Sequence, residues 1–320
     1  MRVAVVGGGA IGGFLAGALA RSGVPVSVVA RGEHLAAIRR DGLRIESDLG
    51  TFTAPVDAGD DLRELGSFDA LLLTFKAHQW APMLPQLMRF GGGAGGPTIV
   101  TFQNGLPFWY VREPSLRIVD PGGIIGRLFP DDRVLGGVVH VSGSIVAPGV
   151  IRQSGGTRYV IGDPRGRPNA QAEALAGLLR DAGLAPEVDP NVRATVWLKL
   201  VNNVGLNPVS TLRMMTIKPL LAHPEARREV HALMTEALRV GQAMGVVQDV
   251  DIDARIEYAA RLDDVKTSML QDRERSRALE LDPILGAVIE LAERYAVPVP
   301  HVRDSYAALR RISSQASTHG

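Results

Sequence analysis

The sequence predicts an α/β N-terminal domain over residues 1–187, followed by an all-α C-terminal domain over residues 188–320. Up to residue 164, short apolar runs rich in β-branched residues alternate with turns, a pattern typical of buried strands. From Gln171 onward the apolar spacing is helical, and it is interrupted by a segment with two prolines, APEVDPNV. This two-proline linker therefore predicts the domain boundary near residues 185–190.

The composition is ordinary for a globular chain and excludes several classes of function. The length of 320 residues is enough for about two domains. A net charge of +1 gives no support for a nucleic-acid partner, and no apolar run is long enough to cross a membrane. The chain has no cysteine and its histidines lack ligand spacing, so we expect no metal. The N-terminus lacks the layout of a signal peptide, which predicts a cytoplasmic protein.

The first 31 residues indicate a nucleotide site. A β-branched run over residues 2–6 is followed by a G-x-G-x-x-G pattern, a helical pattern and a second apolar run. Such glycines allow a tight turn and let a pyrophosphate approach the N-terminus of the helix. The context predicts a Rossmann-like dinucleotide-binding domain, although a glycine-rich turn of another α/β protein is an alternative. The expected cofactor-binding residues are Gly7, Gly9, Ala10, Ile11 and Gly12.

The residue at the end of the second strand bears on which dinucleotide is bound. NAD sites place an acidic residue there to accept from the ribose 2′-hydroxyl, whereas this chain has Arg31. A guanidinium suits a 2′-phosphate, so we expect NADP(H). Glu33 weakens the argument if it turns inward, and a solvated surface arginine is the alternative.

Two later apolar runs end in polar residues. FDALLLTFKAHQ (68–79) places Lys76 just beyond a strand, and TIVTFQNGL (98–106) does the same for Asn104. Ligands of doubly wound sheets bind beyond the carboxyl ends of the strands, so both residues are candidates for a site. Taken singly, each is also typical of an ordinary turn.

The next two segments differ in character. The long segment 107–130 contains Trp109 and Tyr110, and these aromatic residues argue against disorder. A loop of this length is therefore interpreted either as a substrate lid or as a docked surface excursion. Residues 134–164 contain alternating runs separated by Pro-Gly and Gly-Gly, which predicts two or three antiparallel strands.

The second half contains an unusual row of polar residues. The stretch KLVNNVGLNP places Lys199, Asn203 and Asn207 at intervals of four, so the three side chains share one face of a helix. Such a row is either a satisfied structural network or the wall of a site. Further helices are expected near 224–245, 251–276, 280–296 and 301–312. Ser268 and Glu280 are further candidates, with a solvated hydroxyl and a helix-start carboxylate as the ordinary readings.

Taken together, these motifs resemble the ketopantoate reductase (2-dehydropantoate 2-reductase) family over nearly the whole chain. The matching stretches are GGGAIG, Arg31, LTFKAHQ, QNG, WLKLVNNVGLNP, KTSMLQD and the E-x-D of LELD. The helix motif fits the family form K-L-x-x-N-x-x-x-N-P, and the spacing from Ser268 to Glu280 is that of the family.

The resemblance implies an oxidoreductase of pantothenate biosynthesis that uses NADPH to reduce ketopantoate to pantoate. It implies that Lys199 is the general acid and that Glu280 is its catalytic partner. Substrate binding would fall to Asn203, Asn207, Ser268 and Asn104. Asn104 would also orient the substrate near the nicotinamide, and Lys76 would belong with the cofactor.

Two departures from the family pattern bear on the identity of the substrate. After the glutamate, Pro283 follows the aspartate and Leu285 replaces the asparagine that the family commonly has before the glycine, and segment 107–130 is longer than usual. A different 2-keto acid with a bulkier tail is therefore one alternative, and a non-catalytic dinucleotide-binding sensor is another. The expected partner is a small 2-keto acid, with a homodimer as a further possibility.

Overall fold

The computed structural model describes residues 1–92, 95–261 and 264–317. Ten strands are present in this part of the chain: β1 (Val3–Val6), β2 (Val26–Val29), β3 (Leu43–Ser47), β4 (Gly50–Ala54), β5 (Asp57–Gly59), β6 (Ala70–Leu73), β7 (Thr98–Thr101), β8 (Val134–Ala147), β9 (Val150–Gly162) and β10 (Ala185–Val188). The α-helices are α1 (Ala10–Arg21), α2 (Gly32–Asp41), α3 (Trp80–Leu87), α4 (Ile124–Leu128), α5 (Ala170–Asp181), α6 (Val192–Arg213), α7 (Ile217–Ala222), α8 (Pro224–Ala243), α9 (Ile252–Arg261), α10 (Ser268–Glu274), α11 (Ala287–Arg294) and α12 (Pro300–Ser317). A π-helical turn spans Asp282–Gly286.

All ten strands belong to one mixed sheet. Its path runs β4-β3-β9-β8-β7-β6-β1-β2-β5, and β10 pairs with β9. The neighbours from β8 through β7, β6, β1 and β2 to β5 are parallel, and β1, β2, β6 and β7 are buried at every residue. Parallel strands covered on both faces have this continuous apolar character. The predicted Rossmann-like α/β fold, followed by a helical region, is confirmed.

The other half of the sheet contains the antiparallel pairing that the sequence predicts. Strands β8 and β9 form a long antiparallel hairpin, and β3 pairs parallel to β9. Strands β3, β4 and β5 are not anticipated by the sequence analysis, because their short segments carry weak apolar patterns. The segment predicted to be a linker also differs from the prediction, because Ala185–Val188 within it forms strand β10 on the edge of the sheet.

The chain divides into two compact units, and each unit contains two segments. The first combines residues 1–103 with 124–192, and the second combines 104–123 with 193–320. The sequence prediction places one boundary after residue 187. The observed division lies a few residues later and also assigns 104–123 to the helical unit, because the side chains of that segment pack among the helices.

The helical unit has more elements than the sequence predicts. The expected helix over 251–276 is two helices, α9 and α10, and α7 is additional. The expected helix near 280–296 begins with the π-helical turn and continues as α11. Helix α6 contains Pro208 and carries the polar row.

Segment 104–123 supplies part of the core of the helical unit. Trp109 and Tyr110 are 3% and 1% exposed. The Tyr110 hydroxyl donates to the carbonyl of Arg193 at 2.9 Å, and its ring centroid lies 5.9 Å from that of Trp197. Within the segment 107–130, the large aromatic side chains are therefore docked in the core of the helical unit, whereas Glu113, Pro114 and Arg117 are exposed.

A buried carboxylate anchors the same segment to α11. Glu290 accepts from the backbone N–H groups of Arg117 and Ile118, both at 3.0 Å, and from the Arg294 guanidinium at 2.5 Å. Burial opposes ionisation of Glu290, but these three donors outweigh it and lower the pKa of the carboxyl group. Arg294 also donates to the carbonyls of Pro114 and Ser115.

We expect Glu290→Ala to destabilise the protein by about 1–3 kcal/mol, because two backbone N–H groups lose their acceptor. Urea denaturation at pH 7 measures the loss. Glu293→Ala on the same helix removes an exposed ion pair with Arg303, so it should change stability by less than about 0.5 kcal/mol. The pKa of Glu290 is lowered on folding, so its contribution is present above the unfolded pKa and disappears as the pH falls through the folded one. Equal losses for the two variants would contradict the anchoring role.

Candidate active site

The glycine turn after β1 is shaped by a close backbone contact. Gly7 has φ of +115°, and a Cβ atom added there would lie 2.6 Å from the backbone nitrogen of Phe75. The Thr74 hydroxyl donates to the Gly7 carbonyl at 2.8 Å. Only glycine fits this position without moving the backbone that follows β6. Gly12 is also crowded, by the Gly7 carbonyl and the Thr74 hydroxyl.

The N-terminus of α1 fits an anionic group. Gly9 is the N-cap of this helix and is exposed. A Cβ atom added at Gly9 would have no other atom within 4 Å. Ala10, Ile11 and Gly12 begin the helix, where backbone N–H groups have no partner in the helix itself. The first turn has no acidic residue. An accessible helix N-terminus without local negative charge is suited to the pyrophosphate of a dinucleotide.

Arg31 lies where the sequence analysis expects it. It is the N-cap of α2, two residues beyond β2, and β2 pairs parallel with β1. The side chain is exposed, and one guanidinium nitrogen lies 3.4 Å from the Met83 sulfur. The neighbouring Glu33 is also exposed. A cation is therefore accessible at the same edge of the sheet as the glycine turn.

Lys76 lies beyond the carboxyl end of β6, as the sequence predicts. It is half-buried and precedes the 3₁₀ turn Ala77–Gln79, and its backbone N–H donates to the Gln79 side chain at 3.1 Å. The parallel pairing of β6 with β1 places Lys76 at the sheet edge that holds the glycine turn.

Three predicted residues meet within the helical unit. The Lys199 ammonium donates to the Asn104 side-chain carbonyl at 3.3 Å, and the Asn104 amide nitrogen donates to Glu280 Oε2 at 3.4 Å. The amide therefore joins the ammonium to the carboxylate. Glu280 is buried and Lys199 is half-buried on α6. Residues separated by up to 176 positions in sequence form one polar group.

Burial changes the acidity of this lysine. Desolvation lowers the pKa of Lys199 from its ordinary value of 10.5 to about 8, and the nearby Glu280 carboxylate acts in the opposite direction. An ammonium group with a pKa near neutrality can donate a proton more readily than an exposed lysine.

The two asparagines of the row differ in environment. Asn203 is half-buried, whereas Asn207 is 5% exposed and its Nδ2 has no hydrogen-bond partner among the described residues. Asn202 lies on the next face of α6. It accepts from Arg255 at 3.3 Å, and the same guanidinium donates to the Leu198 carbonyl. Asn202 is thus structural, while the amide of Asn207 keeps unused donor capacity.

Ser268 and Asp282 occupy helix starts. Ser268 is the exposed first residue of α10, and the cap is the neighbouring Thr267, whose hydroxyl accepts from Leu270 N–H at 3.2 Å. The Ser268 hydroxyl is therefore not needed as a cap. Asp282 accepts from the Tyr306 hydroxyl at 2.6 Å, which gives this carboxylate a structural role.

The residues that depart from the family pattern after Glu280 have structural explanations. The carbonyl of Pro283 accepts from the Leu106 N–H at 2.8 Å, and an added Cβ at Gly105, where φ is +78°, would collide with the same residue. Leu285 is 0% exposed. Pro283 therefore docks the Asn-Gly turn, and Leu285 packs in the core instead of facing an accessible cleft.

Several residues of structural importance to the sites are not among the predicted ones. Thr74 bonds the glycine turn and Glu290 anchors segment 104–123. His34 receives a backbone N–H on one ring nitrogen and contacts a backbone carbonyl with the other. His34 follows Arg31 closely in RGEH, but its partners are distant in sequence, so no local pattern identifies the contacts.

Comparisons with known proteins agree with this geometry. Residues 3–166 match the family described as ketopantoate reductase PanE/ApbA, and residues 191–313 match its C-terminal domain. The chain belongs to the ketopantoate reductase family. The prediction of an oxidoreductase is confirmed by this membership, and the family is one of dinucleotide-binding oxidoreductases.

Individual members of the ketopantoate reductase family align over almost the full chain. A 2-dehydropantoate 2-reductase of Mesorhizobium japonicum is 37% identical and covers 98% of both chains. A crystal structure assigned as a ketopantoate reductase from Ralstonia solanacearum is 33% identical, with a TM-score of 0.91 over 99% of this chain and 98% of that one. A D-mandelate dehydrogenase bound to NADH and anilino(oxo)acetate has a TM-score of 0.86 over 99% and 100% of the chains, but at 20% identity it shows the fold alone.

Metal sites and membrane-spanning helices are two further classes of feature. Over residues 1–92, 95–261 and 264–317, no three acidic or histidine side chains converge in a way that could hold a metal ion. Within that same part of the chain, the helices are too short or too polar to cross a membrane.

We expect Lys199 to titrate near pH 8, and we expect Glu280→Gln to move that titration to lower pH. The reason is that Glu280 favours the charged ammonium, whereas burial favours the neutral amine. NMR of ¹³C-labelled lysine, assigned with Lys199→Arg, measures the pKa. Glu274→Gln removes the carboxylate that pairs with Lys266 and should leave the Lys199 titration unchanged. A Lys199 pKa that does not respond to Glu280→Gln would contradict the proposed coupling.

Proposed function

We propose that this protein reduces the 2-keto group of ketopantoate to the hydroxyl of pantoate, with NADPH as the hydride source. The observation that carries the proposal is the Lys199–Asn104–Glu280 group, in which a half-buried ammonium is joined to a carboxylate through one amide. A dinucleotide-binding sensor has no need of such a proton donor. The family membership supports the same reaction.

In the proposed mechanism, Lys199 acts on the oxygen of the substrate carbonyl. Its ammonium hydrogen-bonds that oxygen, stabilises the negative charge that develops on it, and transfers a proton from Nζ to form the hydroxyl. NADPH, when bound, would supply the hydride for the carbonyl carbon. The neutral Lys199 amine then regains a proton from solvent. Because the pKa of Lys199 is near 8, the group exists largely as the acid at neutral pH.

Asn104 and Glu280 keep the proton donor charged and oriented. The Asn104 carbonyl holds the ammonium, and its amide nitrogen holds Glu280, so each group restricts the orientation of the next. Glu280 offsets part of the desolvation of Lys199 and provides an acceptor for the substrate hydroxyl. The catalytic residues of the proposal are therefore Lys199 and Glu280.

We assign the remaining contacts to the substrate to the polar row and to Ser268. Asn207 offers an unused amide donor, Asn203 is half-buried beside it on α6, and the Ser268 hydroxyl is accessible. Leu285 is fully buried, so its departure from the family pattern gives no support for a bulkier substrate tail. Ketopantoate is favoured because the 37% identical relative is a 2-dehydropantoate 2-reductase.

For the cofactor we assign Gly7, Gly9, Ala10, Ile11 and Gly12 to the pyrophosphate and Arg31 to the 2′-phosphate of NADPH. The support is the accessible N-terminus of α1 and the exposed guanidinium beyond β2. Lys76 and Asn104 complete the proposed cofactor contacts. The reaction is proposed to occur in the cytoplasm. A homodimer stays a prediction that sedimentation equilibrium would check.

We expect the purified protein to oxidise NADPH most efficiently with ketopantoate among a panel of 2-keto acids, followed by absorbance at 340 nm. Lys199→Ala should lower kcat by about 10²–10⁴, the usual range for loss of a general acid, with NADPH affinity little changed. Lys266→Ala, an exposed lysine in the same unit, is the control. A higher kcat/KM with another keto acid would overturn the assignment of ketopantoate as the substrate. Absence of turnover by the unaltered protein would favour the sensor alternative.

We expect Arg31→Ala to weaken NADPH binding by about tenfold or more and NADH binding much less, because only NADPH carries the 2′-phosphate. Titration calorimetry with both dinucleotides measures the two affinities. Arg40→Ala on the same helix removes an exposed arginine that pairs with Asp41, and it should change neither affinity. Equal losses for NADPH and NADH in Arg31→Ala would show that the 2′-phosphate is bound elsewhere.

A further inference from the structure

The imidazole of His34 connects two backbone turns of the α/β unit. The N–H of Gly149, in the turn of the β8–β9 hairpin, donates to Nδ1 at 2.9 Å. Nδ1 is therefore the acceptor, and the proton of the neutral ring lies on Nε2. Nε2 lies 2.9 Å from the carbonyl of Gly8, to which it donates. Both ring nitrogens are thus occupied by main-chain groups, and the tautomer follows from the first of them.

The contact with Gly8 fixes the orientation of one peptide plane. In a trans peptide the carbonyl and the following N–H point in opposite directions. The Gly8 carbonyl points at His34, so the N–H of Gly9 must point away from it. The Gly8 N–H donates to the Val29 carbonyl at 2.7 Å, which restrains the preceding peptide as well. The Gly8–Gly9 peptide therefore cannot rotate without loss of the His34 hydrogen bond.

This peptide belongs to the turn that is suited to bind phosphate. Gly9 is the N-cap of α1, it is exposed, and no atom lies within 4 Å of where its Cβ would be. An outward N–H at this position adds a donor to those of the first turn of α1. A peptide flip would instead present a carbonyl oxygen, which repels an anion.

We propose that His34 is a positioning residue for dinucleotide binding, which holds the Gly9 N–H toward the pyrophosphate through the Gly8 carbonyl. The inference rests on the proposed binding of NADPH at the glycine turn. His34 itself contacts no phosphate in this proposal. Its role requires the neutral ring, because a proton on Nδ1 would replace the acceptor of the Gly149 N–H with a second donor.

The charges around His34 are few. The glycine turn and the hairpin turn 147–150 have no ionisable side chain. On its own element, Arg31 and Glu33 are exposed, and on β9 the nearest charge, Arg152, is paired with Glu46 at 2.8 Å. Burial lowers the pKa of His34, while the hydrogen bond with Gly8 partly opposes the shift. The lowered pKa favours the neutral ring at pH 7.

The first test compares two substitutions of His34 by the affinity for NADPH, measured by titration calorimetry at pH 7.5. His34→Phe keeps a ring but loses both hydrogen bonds, and it should weaken NADPH binding by about tenfold. His34→Gln retains one donor and one acceptor in its amide and should recover most of that loss. His231→Phe, on α8 of the other unit, is the control and should bind as the unaltered protein does. Equal affinity of His34→Phe and the unaltered protein would overturn the inference.

A second measurement separates positioning from general stability. At saturating NADPH, kcat and the KM for ketopantoate should stay within about twofold in His34→Phe, because the proposed defect is confined to the dinucleotide. A parallel fall in kcat at saturation would indicate a wider structural role and contradict the inference. If the unaltered protein binds neither NADPH nor NADH, the proposed function fails. Failure of the inference alone is a different result, in which His34→Phe binds NADPH as tightly as the unaltered protein does.

The pH dependence gives a test that does not require His34→Phe to fold. The affinity of the unaltered protein for NADPH should fall as the pH is lowered through the pKa of the His34 ring, which lies below its ordinary value, while His34→Gln should lose less affinity over the same range. The 2′-phosphate also titrates near pH 6, so the difference between the two proteins isolates the imidazole. Identical pH profiles would overturn the proposed role of the neutral ring.

Discussion

The proposed chemistry of this protein depends on one amide side chain placed between two opposite charges. Asn104 accepts from Lys199 and donates to Glu280, so one residue sets the orientation of both. Burial alone would push Lys199 toward its neutral form, and the carboxylate resists that shift. The resulting pKa of about 8 reflects a balance between desolvation and charge. A displaced Asn104 would disturb both the hydrogen bonds and this balance.

The position of Asn104 is in turn fixed by main-chain contacts. Gly105 approaches the Pro283 carbonyl more closely than any side chain would allow, and Leu106 N–H bonds that same carbonyl. The π-helical turn that contains Pro283 begins two residues after Glu280. One backbone contact therefore places the amide and the carboxylate together. Farther along, Glu290 secures the rest of the segment on α11.

The sequence allowed the local features to be predicted but not their long-range partners. The glycine turn and the row beginning at Lys199 have regular spacings, which a helix or a strand converts directly into shared faces. The contact that holds segment 104–123 in the helical unit joins it to Glu290, about 170 positions away in the sequence. No local period of the sequence encodes such a contact. The same reason applies to His34 and Gly149. Leu285 was interpreted as a sign of a different substrate because its burial was not visible in the sequence.

The polar row on α6 shows where stability and function diverge. Asn207 is almost fully buried, yet its amide nitrogen has no partner among the described residues. A buried amide donor without an acceptor costs about 1–3 kcal/mol, and an apolar side chain of similar size would avoid that cost. Asn202, on the adjacent face, is satisfied by Arg255 and carries no such penalty. A bound molecule can supply the missing acceptor, and the 2-keto acid of the proposed reaction carries suitable oxygen atoms.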